Sequence, residues 1–519
     1  MSNPVPALDP RRWKALAFIA LAQLMVVLDG TIVNIALPSA QHDLGISDAN
    51  RQWVVTAYAL AFGGLLLFGG RISDRWGRRR AFMIGLVGFA AASALGGAAV
   101  NPGMLLGARA LQGAFGAILA PAALSLLTVM FTQPKERAKA FGIYGAISGG
   151  GAAIGLILGG VLTEYANWRW TMFVNVFFAL VAMAGAVLVI KEPEGARHST
   201  RLDIPGIVLA GAGLASLVYG FNKAETAGWS ATSTLGFIIA AVVLLAAFVV
   251  VQSRSASPLL PLRVVLDRNR GGAYLTIGIS VVGMFGAFLF LTYYLQVVLH
   301  YTPMTSGFAF LPMVAGMMLG ATQVAVRLLP KVPARFLMAP GAFIAAGAML
   351  LLTQISADGS YATHVLPALV MLGFGMGLVF MPAMNLATLG VQRQDAGVAS
   401  AMVSTSQQIG GAIGTSLLST IANSATAHYA TSHAAGVRSA SGAASLQSAA
   451  MVHGFSIAFG VAAGLLTLAG LSAALLVNAR PLGGHQPTSS NSGANANSNA
   501  NANGNAATEA EPTAPTLVH

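Results

Sequence analysis

Long stretches of apolar residues alternate with short polar or Gly- and Pro-rich breaks along most of the chain. A helix that crosses a hydrocarbon layer of about 30 Å needs about 20 such residues. Fourteen stretches approach or exceed this length, and they predict an all-α polytopic membrane protein with 14 transmembrane helices. The predicted spans are 15–38, 53–70, 81–100, 104–131, 139–163, 171–190, 204–221, 235–252, 273–298, 305–327, 336–355, 364–389, 398–424 and 453–478.

The distribution of Lys and Arg supports this count independently. If the N-terminus is placed inside, 23 of the 28 basic residues fall on the inner side, four fall on the outer side and Arg109 lies within a span. Loops on the cytoplasmic side of membrane proteins collect positive charge, and one missed or invented span would move every later loop to the other side. The pattern therefore predicts that both termini are cytoplasmic. The first span is too long for a signal-peptide core and has no small-residue cleavage site, so we expect it to be retained.

Composition narrows the class of protein further. Only 8% of the residues are charged and 55% are hydrophobic, whereas about 25% are charged in a typical soluble domain. A string of soluble domains is therefore excluded, and the net charge of +12 indicates membrane topology rather than a nucleic-acid partner. The chain has no cysteine, which excludes disulfides, zinc–thiolate sites and a cysteine nucleophile. The Asn-, Ala- and Ser-rich residues 479–519 are expected to form a disordered cytoplasmic tail.

One acidic residue, Asp29, lies inside a predicted span. At 1.5 Å per residue it lies about 13 Å from the outer end of its helix, and Arg109 lies about 8 Å from the outer end of the fourth. The two side chains can therefore meet in the outer half of one bundle. Intramembrane charges are often functional, and a carboxylate whose distance to an arginine changes can take up and release a proton. A static ion pair that joins helices 1 and 4 is the alternative.

Other energy sources and chemistries lack the residues they need. None of the nine histidines is in the middle of a span, so a metal site or an intramembrane hydrolase has no ligands or base at membrane depth. No segment reads GxxxxGK[ST], the loop that binds nucleotide phosphates. We therefore expect no cofactor and a transport process driven by an ion gradient or by the gradient of the substrate itself.

Two glycine patterns are also candidates for function. In predicted helix 5, Gly151, Gly155 and Gly159 share one face with Gly160 beside them, which favours either tight packing or a seam along which bundles move. After helix 2 the sequence reads GGRISDRWGRRR. The preference of cytoplasmic loops for positive charge explains the arginines of this segment. It does not explain the spacing between its glycines and its aspartate.

Together these residues resemble the major facilitator superfamily, and within it the 14-span drug:H⁺ antiporter branch of the EmrB/QacA type. The loop after helix 2 is similar to the cytoplasmic signature of that family at Gly70, Asp74, Gly77 and Arg78. LDGTIVNIALP (28–38) resembles the helix 1 motif with Asp29 in the acidic position, and RALQGAFGA (109–117) resembles the helix 4 motif. The resemblance implies a conformational gate at the loop and proton coupling at Asp29 and Arg109.

Further matches of this resemblance occur in the expected order. They are WRWTMFVNV (168–176), RLDIPG (201–206), YYLQVVLHYTPMTSGFAFLP (293–312) and AGVASAMVSTSQQIGGAIGTSL (396–417). One position departs from the pattern, because Leu156 stands where the antiporter motif of helix 5 usually has proline. The glycines of the motif are present. The absence of the proline weakens the expectations that rest on it, namely a kink in helix 5 and a particular direction of transport.

The resemblance implies two six-helix bundles with two extra helices between them. The corresponding regions are a cytoplasmic N-terminus (1–14), a first bundle (15–190), a linker with the extra pair (191–272) and a second bundle (273–478). The candidate substrate-cavity residues are polar, aromatic and Met side chains on inner spans, each of which is equally consistent with packing. They are Gln23, Asn34, Tyr58, Gln112, Tyr293, Gln296, Met381, Asn385 and Gln407.

The expected function is proton-driven export of varied amphipathic drugs or toxic compounds across the bacterial inner membrane. Thioethers and rings re-pack around different ligands, and a single buried carboxylate favours neutral, monocationic or weakly acidic substrates. The alternatives are an exporter of one native metabolite, lipid or amino acid, and a membrane enzyme such as an acyl- or glycosyltransferase. Besides membrane lipid, a periplasmic adaptor and an outer-membrane channel are candidate partners.

Overall fold

The computed structural model describes residues 10–46, 53–190, 203–255, 257–357, 359–392, 395–434 and 440–479. Every regular element in these ranges is helical. The predicted N-terminal segment 1–14, the linker and the tail 479–519 lie partly outside the described residues.

The helices of the first half are α1 (Arg12–Leu44), α2 (Trp53–Trp76), α3 (Arg78–Gly97), α4 (Pro102–Met130), α5 (Pro134–Tyr165) and α6 (Trp170–Val189). Two further helices follow, α7 (Ile204–Ala227) and α8 (Thr232–Arg254). The second half comprises α9 (Arg268–Tyr293), α10 (Met304–Leu328), α11 (Arg335–Leu352), α12 (Leu366–Thr388), α13 (Ala396–His433) and α14 (Ala440–Leu476).

Twelve of the described helices are long and apolar enough to cross a membrane. The other two long helices, α5 and α13, are 32 and 38 residues long and rich in Gly, Ala, Ser and Thr. The chain is therefore a multi-pass helical protein, and the predicted count of 14 crossings stays a prediction.

Local sequence explains where several helices begin. Before α4, the Asn101 side chain accepts a hydrogen bond of 2.9 Å from the Met104 backbone N–H, and Pro102 occupies the first turn, where its missing N–H costs nothing. Between α2 and α3, Gly77 has a φ of 95°, a backbone angle that residues other than glycine rarely adopt. That single residue lets two helices reverse with almost no loop.

Helices α1–α6 pack mainly on one another, and so do α9–α14. The two halves meet where α2 and α4 contact α13 and where α5 contacts α10 and α12. The extra helices α7 and α8 pair with each other, and α7 packs on both α2 and α13. We call the end of the bundle that carries the arginine-rich turn between α2 and α3 the basic end.

Candidate functional site

Asp29 on α1 and Arg109 on α4 form a direct ion pair. Arg109 Nη1 lies 2.6 Å from Asp29 Oδ2, and at most 1% of either side chain is exposed. A charge at membrane depth is expensive unless it is paired and hydrogen-bonded. The structure therefore joins these two predicted residues as counter-charges in the interior of the first half.

Amide and hydroxyl side chains complete a polar cluster around this pair. Gln112 Nε2 donates to Asp29 Oδ1 at 3.0 Å and to Ser93 Oγ at 2.7 Å, while Gln112 Oε1 accepts from Arg109 Nη1 at 2.8 Å. Asn175 Nδ2 donates to Asp29 Oδ1 at 2.7 Å. We call these five residues the carboxylate network. Gln112 reaches both charges because residues three apart share one face of a helix.

Helix α2 contacts the Arg109 guanidinium from another side. Arg109 Nε donates to the Val54 carbonyl oxygen at 3.1 Å, and its guanidinium lies 4.5 Å from the centroid of the Tyr58 ring. A cation over an aromatic face is stabilised by the electrons of the ring. The guanidinium thus has three partners besides Asp29, namely Val54, Tyr58 and Gln112, and they remain available if the carboxylate loses its charge.

At the basic end, Asp74 on α2 accepts hydrogen bonds from the start of α13. The backbone N–H groups of Gly397 and Val398 donate to Asp74 at 2.8 and 3.3 Å. A carboxylate is favoured there because the first N–H groups of a helix are unpaired and carry its positive dipole. Arg78 Nη2 lies 3.4 Å from Asp74, and Arg78 Nε donates to Ser125 Oγ at 2.7 Å. The predicted gate residues Asp74 and Arg78 therefore lie at the contact between the halves.

Gly70 allows this contact to be close. A Cβ at Gly70 would lie 2.7 Å from the Gly397 carbonyl oxygen and 2.7 Å from the Ala401 Cβ. Backbone groups this close leave no room for a side chain. Together with the positive φ of Gly77, this accounts for both glycines of the motif in physical terms.

A second contact between the halves at the basic end was missed by the sequence reasoning. Arg137 on α5 donates from Nε to Asn385 Oδ1 at 2.8 Å and from Nη2 to Thr388 Oγ1 at 2.6 Å, both on α12. Arg137 is one of the 23 basic residues that the charge pattern places on the inner side, and Asn385 is one of the predicted cavity residues. The only signal in the sequence was the position of this arginine, one turn after Pro134 and just before the predicted span 139–163.

Residues just before and just after the extra helices α7 and α8 also form contacts at the basic end. Asp203 Oδ2 accepts from Gln252 Nε2 at 2.6 Å, which ties the start of α7 to the end of α8. The Arg71 side chain on α2 donates to the Pro258 carbonyl oxygen and lies 3.7 Å from Asp395, just before α13. Arg71 thus joins the linker to the first half through Pro258 and the first half to the second through Asp395, and neither contact was foreseen from the sequence.

The three aligned glycines of α5 pack against α1 of the same half. Cβ atoms there would meet side chains of α1, and one at Gly155 would collide with Thr31. Gly160 instead lies on the side of α10, where a Cβ would be 4.0 Å from the Met304 nitrogen. The face of Gly151, Gly155 and Gly159 is therefore a packing surface inside the first half. The side chain of Leu156 lies outside the described part of the structure.

The candidate cavity residues have diverse surroundings. Tyr58 and Gln112 belong to the surroundings of Asp29, whereas buried Gln23 accepts a hydrogen bond of 2.7 Å from the Tyr144 hydroxyl of α5. Met381 is buried on α12, facing Gly142 of α5.

Three other candidates on the second half are less buried. Gln296 and Gln407 are partly buried, and Tyr293 is 51% exposed. Asn34 lies in α1, but its side chain is outside the described residues. Among the residues that the structure describes, no group of three His, Asp or Glu side chains could hold a metal ion.

Similar proteins place this geometry in a family. The sequence profile of the Major Facilitator Superfamily matches residues 19–415. The chain is 52% identical to the puromycin resistance protein pur8 of Streptomyces alboniger, over 82% of this chain and 84% of that protein. It is 38% identical to the cephamycin export protein CmcT of Amycolatopsis lactamdurans (79% and 85%) and 32% identical to the multidrug efflux pump LfrA of Mycolicibacterium smegmatis (79% and 81%).

Solved structures agree on the fold. The human organic anion transporter MFSD10 superposes with a TM-score of 0.61 at 16% identity, over 89% of this chain and 99% of that one. The proton:xylose symporter XylE gives 0.58 at 14% identity, over 88% and 94%. On the profile match and these relatives, the chain belongs to the major facilitator superfamily.

Proposed function

We propose that this protein exports amphipathic drugs or antibiotics across the bacterial cytoplasmic membrane in exchange for protons, by alternating access. The substrate class is supported by the names of its relatives, which are resistance and export proteins for puromycin, cephamycin and several drugs. It acts as a transporter and not as an enzyme, with no cofactor beyond the proton gradient. An adaptor and an outer-membrane channel remain candidate partners.

The observation that carries proton coupling is the set of spare partners around Arg109. When Asp29 is ionised, the pair is complete at 2.6 Å. When Asp29 takes up a proton, Arg109 loses its counter-charge but keeps Val54, Tyr58 and Gln112. Both protonation states then leave the guanidinium hydrogen-bonded. A static buried pair would need the same partners, so the loss of gradient-driven transport in Asp29→Asn is the result that distinguishes proton coupling from a static pair.

We propose that the basic end faces the cytoplasm and that α5 and α13 also cross the membrane, which gives fourteen crossings with both termini inside. The charge bias of the loops supports this orientation. In this topology residues 15–190 and 273–478 form the two moving bundles, and the linker 191–272 carries α7 and α8.

The described conformation is closed at the basic end, and alternating access requires that these contacts open. The contacts of Asp74 with α13 and of Arg137 with α12 are the ones that must break. We propose Gly70, Asp74, Gly77 and Arg78 as the gate. We propose that the substrate pathway is lined by those predicted cavity residues that lie near the interface of the halves. Met381 is the best placed of them, because it is buried on α12 against α5.

A transporter dedicated to one native metabolite, lipid or amino acid is the less favoured alternative, because the relatives are named for antibiotics and drugs. The test is uptake of a panel of drugs and metabolites into proteoliposomes with an imposed proton gradient. We expect several chemically different drugs to accumulate only when the gradient is present. Accumulation without a gradient, or of a single metabolite alone, would contradict the proposal.

A further inference from the structure

Asn175 on α6 has one amide atom in use and one unused. Its Nδ2 donates to Asp29 Oδ1 at 2.7 Å, and the side chain is fully buried. Its Oδ1 is buried and has no hydrogen-bond partner among the described residues. Buried acceptors without a partner are uncommon in folded proteins and call for an explanation. This one lies beside the carboxylate assigned to proton coupling.

A proton on Asp29 would need an acceptor. The amide oxygen of Gln112 already accepts from Arg109, and Ser93 Oγ already accepts from Gln112. Asn175 Oδ1 is the neighbouring acceptor that no described donor occupies. Half a turn of the amide about the Cβ–Cγ bond exchanges its nitrogen and oxygen, since these occupy nearly the same space.

We propose that Asn175 is a positioning residue for proton coupling, whose amide donates to the Asp29 carboxylate and, after rotation, accepts from the Asp29 carboxylic acid. This inference rests on the proposed function. Asp29 takes one proton from hydronium, which becomes water, and the carboxyl becomes neutral; Arg109 keeps its proton and charge, and no covalent bond of Asn175 changes. The two protonation states of Asp29 thus each find a matching partner on α6.

Few other titratable groups lie near Asp29 in the described part of the chain. Arg109 faces it from α4, and Tyr58 of α2 faces Arg109. Tyr144 of α5 faces α1 at Gln23, two turns away. Arginine and tyrosine side chains ordinarily keep their protons at neutral pH. Helices α3 and α6 contribute Ser93 and Asn175 to the network, and neither titrates.

The test is pH-difference infrared spectroscopy on the full protein in lipid, with isotope-labelled asparagine. On acidification of the wild type we expect a carboxylic-acid band, absent in Asp29→Asn, and a shift of one asparagine carbonyl band to lower frequency. That shift should disappear in both Asn175→Leu and Asn175→Ser. It should remain in the matched control Thr171→Val, because Thr171 is buried one turn away and bonds to the Trp168 carbonyl instead.

Transport gives a second readout. We expect Asn175→Leu to slow gradient-driven export about tenfold, the usual effect of losing a hydrogen bond to a charged group, and Thr171→Val to change it little. A normal Asp29 band with no asparagine shift, or a shift that persists in both Asn175 variants, would overturn the role of Asn175 alone. The absence of any carboxylic-acid band from Asp29 would overturn the proposed proton coupling as well.

Discussion

Asp74 joins the two halves through the first backbone N–H groups of α13, so a single charge contributes to closure of the basic end. Asp74→Asn removes the charge and keeps the size of the side chain. We expect turnover to fall about tenfold, since a charge-assisted hydrogen bond at a helix N-terminus is weakened. Substrate binding should change little, because Asp74 lies at the gate. Transport rate and binding affinity in one preparation measure the two effects.

The control for this variant is Arg80→Gln in the same turn. Arg80 is exposed, so losing its charge alters the local net charge without touching α13. It should leave turnover nearly unchanged. A binding defect in Asp74→Asn with normal turnover of bound substrate would contradict a gate role.

Glu136 at the start of α5 gives a prediction about pH. The hydrogen bond from Arg12, whose Nη2 lies 2.7 Å from Glu136 Oε1, lowers the pKa of this carboxyl below its ordinary value. A carboxyl with a lowered pKa stabilises the folded state above its unfolded pKa, and the contribution is lost as pH falls through its folded pKa. Arg12→Gln should therefore destabilise the protein at neutral pH, by less than about 1 kcal/mol for such a surface pair.

Thermal unfolding at neutral and strongly acidic pH measures this effect. The difference in Tm between wild type and Arg12→Gln should become smaller once Glu136 is protonated in both proteins. In a Glu136→Gln background the same substitution should have a smaller effect at neutral pH than in the wild type. A Tm difference that is the same at both pH values would show that Arg12 acts through packing.

Sequence reasoning found the charges of the site and listed Gln112 as a cavity candidate, but it did not find Asn175 or Ser93. Asp29 and Arg109 stand out because ionisable residues are rare in apolar spans. Asn175 and Ser93 are ordinary residues in a membrane helix, and only the packing of α6 against α1 and of α3 against α4 brings them into the carboxylate network. For the same reason, the position of Arg137 in the sequence predicted the side of the membrane on which it lies. It did not predict the contacts of Arg137 with α12.

At the scale of helices, the crossing of α2 and α13 depends on the missing side chain of Gly70. Gly70→Ala would place a Cβ 2.7 Å from the Gly397 carbonyl oxygen, so α13 must move away. Overpacking of this kind costs about 1–3 kcal/mol, and we expect the open population at the basic end to increase about tenfold. Because the chain has no cysteine, spin labels on Lys135→Cys and Lys331→Cys can report the distance between the halves.

Gly107→Ala is the matched control, since a Cβ at Gly107 of α4 meets nothing within 4 Å. It should leave the distance distribution unchanged. If Gly70→Ala also leaves the distribution unchanged, the contact between α2 and α13 does not control closure.

Helix positions followed from the sequence better than helix ends did. The predicted span 398–424 lies within α13 (Ala396–His433), and 453–478 overlaps α14 (Ala440–Leu476). Hydropathy marks only the part of a helix that suits hydrocarbon, whereas backbone hydrogen bonding continues into polar segments that helix propensity supports. The π-helical stretch Leu319–Ala325 inside α10 leaves no mark on hydropathy either.

At the scale of the whole molecule, the charge pattern and the family resemblance predicted two helical halves with an extra pair between them. They did not predict that the extra pair is tied into the basic end. The contact of Arg71 with the Pro258 backbone carbonyl and the pairing of Asp203 with Gln252 join residues far apart in sequence. Such contacts depend on tertiary packing, which periodicity along one chain does not encode.

The central claim is that Asp29 couples drug export to proton movement. The most direct measurement compares wild type and Asp29→Asn in proteoliposomes, in two assays on the same preparation. One assay follows uphill drug transport driven by an imposed proton gradient, and the other follows drug counterflow without a gradient. We predict that Asp29→Asn loses gradient-driven transport and retains counterflow, because the amide cannot exchange a proton. Uphill transport at the wild-type rate by Asp29→Asn would contradict the claim.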